Sequence, residues 1–336
     1  MLNIRVIVTR YGGPQVIDVI EEPLRKPEKG EIRVKVQATG VALADIMRRE
    51  GKIPMSPIPP FTPGYDVIGI VDELGEDVQK YSVGDKVAVF FNGTGGYAAY
   101  VYAKEDEIVA APAHIDAVKA VAVILNYVTA YQMLHRIAKV SEGERILIHG
   151  ASGGVGTALL ELGKLAKLEM YGTASLAKHH IVSQYGAMPI DYRNEDFVDV
   201  LRLRAPEGMD VVFDPIGGRN YERSMKTLSK NGRFIGYGYT SILQQGDPED
   251  WAKDWENLAK KQTTEKGNSV YLYAISSLKK ERLDWFQEDV RFLLSLLEEG
   301  KINPLISHRI PLREAAQAQE LLGKSLSVGK VVLICE

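Results

Sequence analysis

The stretch that most constrains this chain is RILIHGASGGVGTALLELGKLA, Arg145 to Ala166. Arg145–His149 is a short apolar run that reads as a strand, and Gly150–Gly156 is a glycine-rich turn. From Thr157 to Ala166 the apolar residues Ala158, Leu159, Leu162, Leu165 and Ala166 recur at helical spacing. Strand, glycine turn and helix together open a dinucleotide-binding βαβ unit. The spacing Ala151-x-Gly153-x-x-Gly156 is that fingerprint with alanine in its first place. Small residues let the backbone approach a pyrophosphate, and the free N–H groups at a helix start suit an anion. Ala151, Ser152, Gly153, Gly154, Val155 and Gly156 are therefore the candidate phosphate cradle. One such turn is unspecific by itself, so its surroundings decide.

Those surroundings fall into two kinds. Residues 1–110 read as β-rich, with short runs at Ile4–Thr9, Val16–Ile20, Glu31–Thr39, Val67–Leu74, Lys86–Phe90 and Gly96–Val101. Val41–Arg49 is a short helix candidate. The 53–63 stretch holds five prolines and must be a stiff loop. Pro112–Lys139 reads as helical. From Ile146 onward strands and helices alternate, with strands at Glu169–Thr173, Met188–Asp191, Val211–Asp214 and Gly232–Tyr237, and helices at Ala177–Tyr185, Glu195–Arg204 and Asn220–Leu228. This alternation predicts a parallel, doubly wound sheet covered on both faces, hence an α/β fold. Residues 240–268 form a polar insertion with Trp251, Trp255, Leu258 and Ala259 on one helical face. It reads as a surface helix docking two tryptophans in preference to a lid. Ser269–Ile275 reads as a strand, Leu283–Glu299 and Ala315–Leu322 as helices, and Gly329–Ile334 as a strand that rejoins the N-terminal β domain.

Composition removes several classes of function. A net charge of −3 with scattered basic residues gives no reason to expect nucleic acid. The N-terminus lacks the regions of a secretory signal, and no run approaches the ~18 apolar residues of a membrane span. A cytoplasmic protein is expected. The one cysteine, Cys335, excludes an internal disulfide and any multi-cysteine zinc site.

The order of motifs resembles the medium-chain dehydrogenase/reductase superfamily, in its zinc-independent quinone oxidoreductase branch. The resemblance rests on GVALADIMRREG (40–51), PFTPGYDVIGIVDELGEDV (60–78), VGDKV (83–87), NYVTAYQML (126–134), HGASGGVG (149–156), GTAS…KH (172–179), DYR (191–193), DPIGG (214–218) and VGKVVL (328–333). GTAS…KH and DPIGG look most like the synaptic vesicle amine-transport-protein-like members. The resemblance implies a β-rich GroES-like catalytic domain over 1–123 and 300–336, and a Rossmann NADPH-binding domain over 124–299. It also implies hydride transfer from NADPH to a quinone or an α,β-unsaturated carbonyl compound. The alternative is an NADPH-binding, vesicle-associated interaction protein with little turnover. Zinc-dependent relatives carry a cysteine at the first helix and Gly-His-Glu further on. This chain has Val41-Ala42-Leu43 and Gly64-Tyr65-Asp66 there, so no metal is expected.

Cofactor choice follows from the second strand of the βαβ unit. NAD sites place Asp or Glu about 20 residues past the glycine turn. Here Gly172-Thr173-Ala174-Ser175 holds no acid, and Lys178 follows at a helix start. Ser175 and Lys178 therefore suit a 2′-phosphate, with a helix cap and a solvated charge as their alternatives, and the resemblance adds Tyr192 to the same phosphate; Thr173, at the end of the strand, is a further cofactor-binding candidate. It also puts Asn126 and Thr129 near the nicotinamide. Gly236, Tyr237 and Gly238 end a parallel strand, where ligands bind. Lys330 has two readings, a cofactor phosphate or an ion pair with Asp66. The substrate is expected in the cleft between domains, walled by Asp45, Met47, Tyr65, Tyr127 and Tyr271. Tyr65 is either a wall or the proton donor. Many quinone reductases carry Asn where this chain has Ala42, which weakens the orientation of a substrate. The edge strand near 269–275 predicts a homodimer.

Overall fold

The computed structural model describes residues 1–54, 56–244, 246–264 and 266–335. Met55 of the proline-rich loop, and Gln245 and Glu265 of the polar insertion, lie outside the described residues. The chain divides into two units, Met1–Val128 with Leu283–Glu336, and Thr129–Arg282.

The unit Thr129–Arg282 is built on parallel strands. Among the described residues their order is Met188–Asp191, Glu169–Ala174, Arg145–Ile148, Met209–Asp214, Leu228–Gly236 and Ser269–Leu272. Numbered along the chain, this is 3-2-1-4-5-6. Winding reverses between Arg145–Ile148 and Met209–Asp214, which pair directly. Ligands of open α/β sheets bind outside the carboxyl ends of the strands at such a reversal. Both strands are apolar because both faces are covered: Ile146, Leu147, Ile148, Val211, Val212 and Phe213 are all fully buried. The helix after the glycine turn runs Gly154–Leu165, starting before the expected Thr157 because the last glycines of the turn are already helical. Ala158, Leu159 and Leu162 face the core as expected, whereas Leu165 is half exposed.

The unit Met1–Val128 with Leu283–Glu336 holds a largely antiparallel sheet in the order Ile306–Pro311, Lys330–Ile334, Glu31–Val41, Asp66–Leu74, Lys86–Phe90, Ile108–Ala110, with Tyr100–Lys104 also paired to Glu31–Val41. Lys330–Ile334 does rejoin the N-terminal strands, antiparallel to Glu31–Val41. Leu2–Val8 and Ile17–Pro23 form a separate hairpin. Alternation along Glu31–Val41 sends Ile32, Val34 and Val36 into the core.

Several elements differ from expectation, each for a local reason. The strand expected at Gly96–Val101 begins at Tyr100, because Gly96–Ala99 is engaged by the first strand and by the loop at Gly64. The strand expected at Ser269–Ile275 ends at Leu272, and Ala274 then caps an unexpected helix, Ile275–Glu281. The helix Leu283–Glu298 groups with the antiparallel sheet, not with the parallel one. Its Phe286 packs on Phe90, with ring centroids 5.3 Å apart. The division therefore falls at Val128 and Leu283, where 123/124 and 299/300 are the expected boundaries. One helical stretch, Ala117–Ala138, is long and apolar enough by mean hydropathy to cross a membrane, although polar residues such as Lys119, Asn126 and Gln132 interrupt it. Burial of 83% of its most apolar window inside the protein marks it as a core helix.

The polar insertion folds as the helix Pro248–Lys261, with the Asp247 carboxylate accepting from Glu249 N at its start. Trp251 stacks on Tyr239 at 5.7 Å, and Trp255 donates its indole N–H to Tyr221 Oη at 3.1 Å. Tyr239 Oη donates to Asp254. Ala259, expected on this face, is exposed, and Asp254 takes part instead. The helix is docked by its tryptophans.

Candidate functional site

In the unit Thr129–Arg282, the turn Gly150–Gly156 crosses the carboxyl end of the first strand at the winding reversal. Gly150 has φ +65°, a conformation that favours glycine. Gly156 allows the helix to close on the turn: a Cβ there would lie 2.3 Å from Gly150 O. Gly153 caps the helix with no side chain over its N–H groups. Gly153 is exposed, Gly154 and Val155 are half-buried, and Ala151 and Ser152 are buried beneath. The result is a backbone cradle, open to solvent, at a helix N-terminus. It fits a phosphate.

The second strand ends at Ala174, followed by Ser175 and a 3₁₀ turn Leu176–Lys178. The segment Gly172–Lys178 contains no Asp or Glu. The Lys178 ammonium is pushed below its ordinary pKa, first by burial and then by the nearby Arg193 guanidinium. Arg193 in turn lies 5.8 Å from the centroid of the Tyr192 ring. The local carboxylate, Asp191, is turned inward, accepting from Arg193 N at 3.2 Å and Asn194 Nδ2 at 2.7 Å. Two like charges, Lys178 and Arg193, therefore lie near each other beside a half-exposed tyrosine. Arg193 is the residue that sequence reasoning missed, although its neighbour Tyr192 was singled out.

Thr173 is not part of that open surface. It is 3% exposed, and its hydroxyl is bonded to His149 Nδ1 and Gly150 N. With its hydroxyl so engaged, it supports the turn from below. Gly236 and Gly238 have their carbonyls engaged by Tyr273 N and Tyr221 Oη, and Tyr237 N donates to Asp214 O. Of these three, only the Tyr237 side chain and Gly238 are even partly open. Thr129 is buried. Tyr271 points outward from the edge strand, 39% exposed, while Tyr273 is buried and donates to Gln132 Oε1 at 2.8 Å.

In the other unit, Asp45 is not a pocket wall. It is fully buried, accepts from Ala42 N, Gly64 N and Tyr97 Oη, and thereby caps the helix Leu43–Arg49. Burial pushes its carboxyl up to about 6. Lys330 pairs with a carboxylate. Its Nζ lies 2.9 Å from Asp66 Oδ2, and both side chains are buried. Of the two readings of Lys330 the ion pair holds. Gly40 makes room for it, since a Cβ there would fall 2.3 Å from Lys330 Cε. Asp66 Oδ1 has no hydrogen-bond partner, and burial holds the Asp66 carboxyl above its ordinary range.

Tyr65 is buried, and its hydroxyl accepts from Arg48 Nε at 3.1 Å. Burial raises the phenol pKa, with Arg48 acting against it, so Tyr65 keeps its proton at neutral pH. Gly93 brings its backbone against both side chains; a Cβ there would lie 2.5 Å from Arg48 Nε. Arg48 also donates to Asn92 O. Met47 and Tyr127 are buried apolar surfaces. Asn126, also buried, shares with Tyr127 a π-helical turn, Val123–Tyr127, a geometry frequent at functional sites.

Among the described residues, no three His, Cys, Asp or Glu side chains converge as a metal site would require. Residues 28–113 match the family model "Alcohol dehydrogenase GroES-like domain", and residues 185–333 match "Zinc-binding dehydrogenase". The second description names a metal whose cysteine and histidine ligands this sequence does not carry. Over whole chains, the sequence is 33% identical to the quinone oxidoreductase of Sus scrofa, covering 97% of this chain and 96% of that protein. It is 32% identical to a synaptic vesicle membrane protein VAT-1 homolog of Danio rerio, covering 98% of this chain and 70% of that one. In three dimensions it matches the Escherichia coli quinone oxidoreductase complexed with NADPH, at a TM-score of 0.86, 27% identity, and coverage of 98% and 99%. Glycine turn, sheet order and full-length identity agree: the chain belongs to the medium-chain dehydrogenase/reductase superfamily, in its quinone oxidoreductase branch.

Proposed function

We propose that this protein is a cytoplasmic, metal-independent reductase that uses NADPH to reduce a quinone or an α,β-unsaturated carbonyl compound. The observation that carries the reading is the pairing of an open glycine turn with Lys178 and Arg193 where an NAD site would place an acid. The similarity to quinone oxidoreductases, one of them complexed with NADPH, supports it. Bound NADPH supplies a hydride from its nicotinamide; the protein supplies binding and orientation. Gly153–Gly156 would take the pyrophosphate at the helix N-terminus. Ser175, Lys178, Tyr192 and Arg193 would take the 2′-phosphate. Asn126, Thr129 and the segment Gly236–Gly238 are assigned to the nicotinamide end. Met47 and Tyr127 are assigned to the substrate.

Tyr65 is assigned the proton. Arg48 donates to its oxygen, so the phenolic hydrogen must point elsewhere and is free for an acceptor's oxygen. Enolates also take protons from water, so Tyr65→Phe is expected to lower kcat/KM for an enone by only about tenfold, below the usual range for a general acid. An unchanged rate removes Tyr65 from the mechanism.

The edge strand Ser269–Leu272 pairs on one side only with a named strand, Leu228–Gly236. A bridge from Thr263 covers its start. We assign it to a homodimer interface. Light scattering is expected to give twice the monomer mass, and a monomeric mass contradicts the assignment.

Ala42 favours a second reading, an NADPH-binding interaction protein with little turnover, in line with its similarity to VAT-1 homologs. A panel of quinones and enones with NADPH separates the two. Saturable oxidation supports the reductase, and tight binding without oxidation supports the binding protein.

A further inference from the structure

His149 directly follows the first parallel strand, at the winding reversal. It is 2% exposed, and its backbone N–H donates to Phe213 O on the neighbouring strand. Its ring joins a buried polar chain. Nε2 lies 3.0 Å from Ser224 Oγ, and Nδ1 lies 3.1 Å from Thr173 Oγ1. Ser224 Oγ donates to Asp214 Oδ2 at 2.6 Å. Asp214 also accepts from Asn220 Nδ2, Ile216 N and Gly217 N. Thr173 Oγ1 accepts from Gly150 N at 3.3 Å.

The donors leave one consistent assignment. A carboxylate only accepts, so Ser224 spends its hydrogen on Asp214. His149 Nε2 must then carry the proton given to Ser224, which makes Nδ1 an acceptor. Thr173 donates to Nδ1 and keeps a lone pair for Gly150 N–H. The imidazole is therefore a neutral Nε2–H tautomer, and burial agrees, holding its pKa below the ordinary value. The other groups acting on the ring are Asp214 and Arg223. Phe197 closes its edge at 4.7 Å.

This chain ties two turns together. One end holds the first N–H of the glycine turn; the other holds the turn Asp214–Gly218 at the end of the adjacent strand. We propose that His149 is a positioning residue that sets these two turns at one spacing, and so governs affinity for the whole dinucleotide without touching it. The proposal rests on the NADPH reading above.

The test titrates NADPH and adenosine 2′-monophosphate, by calorimetry, into the wild type, His149→Phe and His149→Gln. The monophosphate carries the 2′-phosphate but no pyrophosphate. His149→Phe is expected to weaken NADPH binding by about tenfold to hundredfold, the range for breaking a buried hydrogen-bonded chain. Binding of the monophosphate should stay unchanged. His149→Gln keeps one donor and one acceptor and should recover most of the loss. If His149→Phe does not fold, Thr173→Val cuts the same chain with little change of shape and carries the same expectation. Unchanged NADPH affinity overturns the proposal. So does a parallel loss of both ligands without rescue by glutamine, which would mean support of the fold alone. A wild type that binds neither ligand defeats the NADPH reading itself.

Discussion

Lys178→Ala is expected to lower the affinity for NADPH by about tenfold or more and to leave the affinity for NADH nearly unchanged; a charge-assisted hydrogen bond has that worth, discounted for exposure. The Lys178 ammonium is disfavoured first by its own burial and then by Arg193. A 2′-phosphate with close to two negative charges relieves both effects, and NADH has nothing to offer there. Arg193→Ala should act in the same direction but more weakly, because its guanidinium is open to solvent and screened. The gap between cofactors should narrow as salt rises, and the Lys178→Ala, Arg193→Ala double variant should nearly close it. Fluorescence titration with both nucleotides reads these outcomes. Equal affinities in the wild type would remove the assignment.

The second large effect is on stability. Lys330→Met is expected to destabilise the protein by about 3–5 kcal/mol at neutral pH, the usual cost of stranding one member of a buried ion pair. Asp66 would keep its burial and lose the cation that offsets it. Its folded-state pKa, already raised, would rise further above the unfolded value. A carboxyl in that position prefers its proton in the folded state. The deficit should therefore be full above the raised pKa and shrink as pH falls toward the ordinary carboxylate range near ~4. Asp66→Leu combined with Lys330→Met should recover much of the loss, since an apolar pair of similar volume needs no partner. Urea unfolding at neutral and acid pH checks all three points. A deficit that grows on acidification contradicts the ion-pair account.

What could be read from the sequence was local. The glycine turn and the apolar strands Arg145–Ile148 and Met209–Asp214 carry their patterns within a few residues, so they and the parallel sheet were legible. Lys178, Ser175 and the missing acid can be proposed from sequence because the cofactor-specificity position lies at a fixed distance from the turn. Partnerships across the sheet were not. His149 bonds Ser224, Asp45 caps its own helix start but also takes the Tyr97 hydroxyl, and Lys330 meets Asp66 from the far end of the chain. No spacing rule announces such pairs, which is why Asp45 reads from sequence as a pocket wall and Lys330 keeps two readings until the fold is built. The helix Leu283–Glu298 shows the same limit. Its apolar stripe with Phe286, Val290 and Leu293 was plain, but a stripe does not say which sheet it covers. Arg193 was overlooked because an exposed arginine after a strand looks like solvated charge until Lys178 is placed beside it.

The most direct test of the central claim is isotopic. Enzyme treated with a chelator is given an enone and NADPH carrying deuterium at both C4 positions, and the product is weighed by mass spectrometry. The account predicts one deuterium on the carbon β to the carbonyl, at a rate that chelation leaves unchanged. A product without deuterium, or turnover that chelation abolishes, would contradict it.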